Sequence, residues 1–311
     1  MSKFALIGCG YWGMNILRTS KNLGQLDFVI DDDEKKLEQI SQDYQVAKIT
    51  FESALNSDEI KNFYISTPAE THFEIAKKLL LNYKNVFVEK PITLDIQEAE
   101  ELIHIAEENK SILMVGHLLQ YHPAIIKIKE LINDKLLGKL KRVICKRASL
   151  GKVRSHEDVL WSFSPHDISL INYFCAGKVY NIQRNRVKVF SDNYDRYAVD
   201  FMYGDTYVSL EADWGQIIKK QSLELYFEKG IFYFDDADPE KKIIFHNVDF
   251  NKSTLMEKVQ TTKKHLDFDN SSSPLENELA HFKECVKSNS QPITDGFEGL
   301  ACLKLLRVLS E

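Results

Sequence analysis

The stretch Phe4-Ala5-Leu6-Ile7-Gly8-Cys9-Gly10-Tyr11-Trp12-Gly13 decides the reading of this chain. An apolar, strand-like run ends in a G-x-G-x-x-G turn, and Met14 to Lys21 continues as the start of a helix. In that context the glycines mark a dinucleotide-binding turn. Gly8 permits the tight turn, Gly10 lets the backbone approach a pyrophosphate, and Gly13 lets the helix pack closely on the strand. The helix N-terminus adds N–H groups and a positive dipole end for the phosphates. Tyr11 and Trp12, inside the loop, are counted with the cofactor site. A second apolar run, Leu26 to Ile30, ends in Asp31, eighteen residues beyond Gly13, where a carboxylate can accept hydrogen bonds from ribose hydroxyls. The alternative is a glycine-rich turn with no ligand.

Outward from this turn, helix-like and strand-like runs alternate. A helix is predicted over 34–44, strands at 46–49 and 63–65 with a turn at 58–61 between them, and a helix over 71–81. A strand at 85–88, a helix capped by Asp95 and running to about 109, and a strand at 112–115 follow. Such alternation implies parallel pairing with right-handed crossovers, a doubly wound α/β sheet. Ligands of these sheets lie beyond the carboxyl ends of the strands. That rule puts the Gly8 loop, Asp31, Ser66-Thr67-Pro68, Glu89-Lys90-Pro91 and Gly116-His117 on one rim.

After a helix over 123–133 the pattern changes. Residues 140–150 are extended and 164–176 helical, and strand-like runs follow at 179–190, 197–203, 207–214, 223–227 and 231–234 with short turns between the later ones. This predicts an α+β second domain on a mostly antiparallel, open-faced sheet. The expected domains are 1–120 for dinucleotide binding and 121–311 for substrate binding and oligomerisation, with the C-terminal helix packing back on the first. Tyr203, Tyr207, Tyr226 and Tyr233 are placed on the sheet face without helices, which would join a homodimer or homotetramer. Residues 247–273 are polar and unpatterned and read as a long loop, with closing helices at 275–286 and 296–309.

The 311 residues carry a net charge of −6, against the basic face that nucleic-acid binding usually needs. No apolar run approaches the length of a membrane span. The chain enters its first strand without the features of a signal peptide. Five scattered cysteines without a C-x-x-C pair suggest a reducing, cytoplasmic setting, and no cluster has metal-site spacing. Three acids, Asp31-Asp32-Asp33, with no cation before Lys35, favour NAD over NADP, whose 2′-phosphate would meet like charge.

At Glu89-Lys90-Pro91 the chain resembles the glucose–fructose oxidoreductase and inositol dehydrogenase family (Gfo/Idh/MocA). The likeness extends through the Gly-Tyr-Trp-Gly loop, Ser66-Thr67-Pro68-Ala69 with Thr71-His72, Val115-Gly116-His117 and Tyr121-His122-Pro123-Ala124. It continues at Trp161 with Pro165-His166-Asp167-Ile168, and at Pro292 to Gly299. The resemblance implies an oxidoreductase moving a hydride between nicotinamide and a sugar or sugar-nucleotide carbon, in surface-polysaccharide sugar synthesis. It adds His72 to the cofactor residues. A cyclitol dehydrogenase and a non-catalytic dinucleotide-binding regulator are the alternatives.

The resemblance also gives Lys90 a catalytic role. An ammonium at a strand end can share in proton transfer and stabilise alkoxide character. His166 would face the substrate, and its ordinary pKa near 6.5 suits a base. Many relatives carry an aspartate four residues before this histidine; here that position is Ser162, which cannot act as a carboxylate. Ser164 suits an N-cap with Pro165 at the first helical position, so Asp167 either completes a capping box or reaches the substrate. His117, Tyr121, Arg147, Arg154 and Trp161 complete the candidate substrate residues, the arginines as forks for a carboxylate or diphosphate.

Overall fold

The alternating first part of the chain forms a six-stranded parallel sheet in the computed structural model, which describes residues 2–133, 136–150, 157–240, 242–248 and 261–311. Its elements are β1 (Lys3–Ile7), α1 (Gly13–Asn22), β2 (Phe28–Ile30), α2 (Glu34–Tyr44), β3 (Ala47–Lys48), α3 (Phe51–Leu55), β4 (Ile60–Ile65), α4 (His72–Leu81), β5 (Asn85–Glu89), α5 (Ile96–Asn109) and β6 (Leu113–Gly116). The strand order is β3-β2-β1-β4-β5-β6, the doubly wound arrangement. Leu6, Phe63, Tyr64, Ile65 and Val86 to Val88 are fully buried, as strands covered on both faces require. Strand β4 starts at Ile60, inside the predicted turn, because Asn62 satisfies its amide there against Ser2 and Asn85.

The rest comprises α6 (Pro123–Asn133), β7 (Leu140–Ala148), α7 (Val159–Phe163), α8 (Pro165–Phe174), β8 (Val179–Val187), β9 (Arg196–Tyr203), β10 (Thr206–Asp213), β11 (Lys220–Phe227), β12 (Gly230–Asp235), β13 (Ile243–Asn247), β14 (Thr262–Leu266), α9 (Pro274–Ser288) and α10 (Gly296–Ser310). The chain divides into two units: Met1–Tyr121 with Ser273–Lys304, and His122–Ser272 with Leu305–Glu311. The chain thus passes between units after Tyr121 and again after Ser272, with α9 and most of α10 in the first. Phe282 of α9 explains this. Its ring lies 6.2, 5.6 and 5.9 Å from those of Phe4, Tyr64 and Phe87, within the core that covers one sheet face. Ser273 and Glu276 close a full capping box at the start of that helix.

The second unit holds an eight-stranded sheet, β14-β13-β12-β11-β7-β10-β9-β8, antiparallel except for the central β7–β10 pair. Alternate residues Tyr197, Val199 and Phe201 are buried, as are Val208, Leu210 and Ala212, while Tyr207, Tyr226 and Tyr233 lie on the other parity. Tyr203 departs from expectation. It shares the buried parity of β9, opposite Thr206, and its hydroxyl donates to Asn172 of α8. The predicted loop over 247–273 also contains β14, an edge strand that pairs with β13. Four of its five residues are exposed, so no period-2 apolar signal marks it.

Candidate functional site

In the first unit the glycine turn is built by close backbone approach. Gly8 has φ +88°, and a Cβ there would stand 2.7 Å from the Ser66 carbonyl oxygen. A Cβ on Gly13 would fall 2.1 Å from the Gly8 carbonyl oxygen, so helix α1 leaves the strand with no room for a side chain. Gly10 differs: it is exposed, and nothing lies within 4 Å of the position its Cβ would take. That leaves an open approach to the backbone at the point where a pyrophosphate would pass.

Asp31 follows β2 and binds back onto the turn. Its carboxylate accepts from the Cys9 backbone N–H at 2.7 Å, the Asp33 N–H at 3.1 Å and the Lys36 ammonium at 2.8 Å. Burial alone would raise its pKa, but these donors hold it below the ordinary aspartate value. Asp33 caps α2 by accepting from the Lys36 N–H. A cavity of ≈ 400 Å³ opens beside Asp31, lined by Ile30, Asp32, Lys48, Ile49 and Thr50 among others. Cys9 is buried and its thiol is pushed up to about 12 by that burial, consistent with a filler and not a nucleophile.

The ends of β4 and β5 are tied together by His72. Its Nδ1 lies 2.8 Å from the Pro91 carbonyl oxygen and its Nε2 3.0 Å from that of Thr67. Burial lowers the imidazole pKa against the opposing effect of the two carbonyl contacts, and the ring braces the Ser66-Thr67-Pro68 loop against the Lys90-Pro91 loop. Thr71 adds a hydroxyl bond to Thr67 at 2.6 Å. Lys90, half-buried, follows the last residue of β5, and its backbone N–H donates to Glu89 Oε2 at 3.3 Å. The other Glu89 oxygen accepts from the Trp12 indole N–H at 2.5 Å.

Behind this rim lies a buried polar cluster in which sequence reasoning found only His117, as a substrate residue, and missed its partners. His117 Nδ1 hydrogen-bonds the Glu298 carboxylate, Gln120 donates to the same carboxylate at 2.8 Å, and Cys302 donates to it at 3.2 Å. Glu278 of α9 is fully buried with neither carboxylate oxygen hydrogen-bonded, and burial, with Glu89 and Glu298 nearby, raises its pKa well above the ordinary value. Its signal was available: Leu275, Glu278, Leu279 and Phe282 occupy one helical face, so an acid stands in an apolar stripe. Tyr121, expected at the substrate, is instead core, its hydroxyl 3.0 Å from Thr294 Oγ1.

A raised carboxyl pKa has a definite stability consequence. In the native state Glu278 retains a proton that the unfolded chain releases near pH 4.5, so its contribution is complete below that pH and lost as pH rises. We expect Glu278→Gln to flatten this decline, relative to wild type, by up to about 1.4 kcal/mol per pH unit. Urea unfolding between about pH 5 and 8 measures it; parallel curves for the two proteins would disprove it.

In the second unit Arg147 and Asp167 form a bidentate pair at 2.8 and 3.0 Å. Asp167 is buried and Arg147 half-buried, so the Arg147 fork is already filled and the Asp167 carboxylate is committed to it. The predicted Ser164–Asp167 capping box is absent, because Ser164 ends α7 in αR conformation as α8 begins and makes no side-chain cap bond. His166 stands half-buried on the first turn of α8, and Ser162 is buried on α7. Trp161 is half-buried, with the Arg307 guanidinium 5.1 Å from its ring centroid. Arg154 lies outside the described residues. No described helix is long and apolar enough to cross a membrane.

A parallel sheet in this strand order, a strand–glycine turn–helix and an acid after the second strand define a dinucleotide-binding Rossmann unit. Residues 2–117 match the model of the Gfo/Idh/MocA family, described as an oxidoreductase family with an NAD-binding Rossmann fold. The first unit is thus similar to the Rossmann unit of the Gfo/Idh/MocA oxidoreductases.

Among its relatives, the UDP-N-acetylglucosamine 3-dehydrogenase of Acidithiobacillus ferrooxidans is 26% identical over 191 residues, 61% of this chain and 59% of that one. An uncharacterized oxidoreductase of Streptococcus pneumoniae is 29% identical over 163 residues, 52% of this chain and 44% of its own length. The aligned regions thus span about half the length of these curated relatives. Solved structures share the fold across both units. The Acidithiobacillus ferrooxidans enzyme, GnnA, superposes with TM-score 0.87 at 20% identity over 99% of this chain and 96% of that one. A levoglucosan dehydrogenase solved with NADH gives 0.82 at 13% identity, over 99% and 96%.

Proposed function

We propose that this chain is an NAD-dependent dehydrogenase or reductase acting on a hydroxyl or keto carbon of a sugar or sugar nucleotide, in surface-polysaccharide sugar synthesis. The observation that carries the reading is the first unit's rim, where an open Gly10 backbone, a hydrogen-bonded Asp31 and Lys90 belong to the same set of strand ends. These residues fit a dinucleotide: Gly10 leaves the phosphates an approach, and Asp31 lies beside a cavity. Tyr11, 92% exposed at the loop tip, is available to cover it. Bound NAD would supply the hydride acceptor. Lys90 would take the proton released by the hydroxyl, or return it in reduction, and its charge would stabilise the oxyanion. His166 is proposed as the substrate-facing imidazole, with Ser162 limited to hydrogen bonding. Two relatives support the substrate class: the 3-dehydrogenase above, and a dTDP-sugar 3-reductase of Actinomadura kijaniata that is 28% identical over 91 residues. The open face bearing Tyr207, Tyr226 and Tyr233 is proposed to join copies of the chain, and a cytoplasmic site accords with its free, buried cysteines.

The cofactor test is direct. With Lys36 already paired to Asp31, the 2′-phosphate of NADP would meet Asp31, Asp32 and Asp33, so NAD should bind at least about tenfold more tightly. Dissociation constants measured side by side decide this; tighter NADP binding would make Lys36 the phosphate cation and reverse the assignment. Absorbance of NADH across a panel of sugar nucleotides, sugars and cyclitols then identifies the substrate. A cofactor-binding protein inert toward the whole panel would favour the regulator.

A further inference from the structure

The glycine turn and the Lys90 loop come from different strands, yet one carboxylate holds both. Glu89 Oε1 accepts the Trp12 indole N–H at 2.5 Å, and Oε2 accepts the backbone N–H of Lys90 at 3.3 Å. Trp12 immediately precedes Gly13 and α1, and its backbone carbonyl accepts from the N–H groups of Asn15 and Ile16, at 2.8 and 3.2 Å. Gly116, at the end of β6, gives the carboxylate its space: a Cβ there would stand 3.1 Å from three Glu89 side-chain atoms. Glu89 is 8% exposed. An indole held by a buried carboxylate has one orientation, and that orientation fixes the loop that would bear the phosphates.

We infer that Trp12 and Glu89 form a latch that locks the glycine turn to the strand end carrying Lys90, and that both are positioning residues for the dinucleotide. The inference rests on the dinucleotide reading proposed above. The latch responds to protons. Glu89 faces Trp12 from the glycine turn, Lys90 on its own loop, His117 after β6 and Glu278 on α9, which Glu298 of α10 also faces. Burial outweighs the help of Trp12, Lys90 and His117 and pushes the Glu89 carboxyl up to about 7. As pH falls through neutrality the carboxylate takes a proton, becomes a weaker acceptor, and loosens its hold on the indole.

The test uses the full chain and two independent readouts. Three tryptophans give three indole N–H resonances, and Trp12→Phe identifies the one from Trp12. Without cofactor, that resonance should move with pH across the Glu89 titration in wild type and stay still in Glu89→Gln. NADH affinity measured at about pH 8 should fall about tenfold in Trp12→Phe, which keeps an aromatic ring but removes the N–H. It should fall comparably in Glu89→Gln. Losing a negative charge by itself favours an anionic cofactor, so weaker binding in both variants separates the latch from simple electrostatics. A Trp12 resonance insensitive to pH, or NADH binding by Trp12→Phe equal to wild type, overturns the latch alone. Failure of the wild type to bind any dinucleotide overturns the reading beneath it as well. Should Glu89→Gln fail to fold, the wild-type titration and Trp12→Phe still decide.

Discussion

Lys90→Ala is expected to lower turnover on the hydroxyl substrate by about 10²–10⁴-fold, while urea stability remains near wild type and NAD affinity falls by no more than the about tenfold of a loosened latch. The substitution removes the ammonium but keeps the backbone N–H that donates to Glu89, and leaves the glycine turn, Asp31 and the His72 brace intact. Steady-state rates paired with cofactor titration separate the two effects. Near-normal turnover would make the lysine a loop residue and shift the balance towards the regulator. A fall in cofactor affinity equal to the fall in rate would mean that Lys90 holds the dinucleotide and not the reacting proton.

Two glycines in the same turn should fail in opposite ways. Gly13→Ala places a methyl 2.1 Å from the Gly8 carbonyl oxygen, backbone against backbone, and neither side can move without tearing α1 from β1. A loss of about 1–3 kcal/mol or more is expected, with cofactor binding lost as a consequence. Gly10→Val adds a Cβ where nothing lies within 4 Å, at an exposed position, so stability should stay within about 0.5 kcal/mol of wild type. Affinity for NAD should nonetheless fall by about 10²-fold or more, because the added atoms occupy the phosphate approach. Denaturant melts and cofactor titrations on both variants provide the contrast. A Gly10→Val protein that binds NAD normally would place the phosphates elsewhere.

Much of the first unit was legible because its signals are local. Three glycines at fixed spacings, a period of strand then helix, and Asp31 at the next strand end require no knowledge of distant contacts. The second unit was legible where buried and exposed residues alternate, as in β9 to β12, and illegible at β14, whose residues are nearly all exposed. Side-chain commitments were the hardest to read. Arg147 and Asp167 are twenty residues apart in sequence, and nothing local announces that each satisfies the other. Ser164 has the composition of an N-cap, but α7 runs directly into α8 and supplies the preceding turn. Tyr121 sits beside a rim motif yet points to Thr294, and only the return of the chain's end reveals that partner.

That return has a bearing on how the molecule is made. The strands that carry the glycine turn and Lys90 are all synthesised by residue 116, but the Phe282 ring that completes their aromatic core arrives only with α9. During translation the rings of Phe4, Tyr64 and Phe87 must wait, partly uncovered, while His122–Ser272 of the second unit emerges from the ribosome. Domains usually fold as they emerge, N-terminal first, and transiently exposed apolar surface is where aggregation begins. Here the dinucleotide half is first to be made and last to be finished. The two units are therefore not two independently expressible pieces of the polypeptide, and a protein cut after the sixth strand would lack part of its own interior.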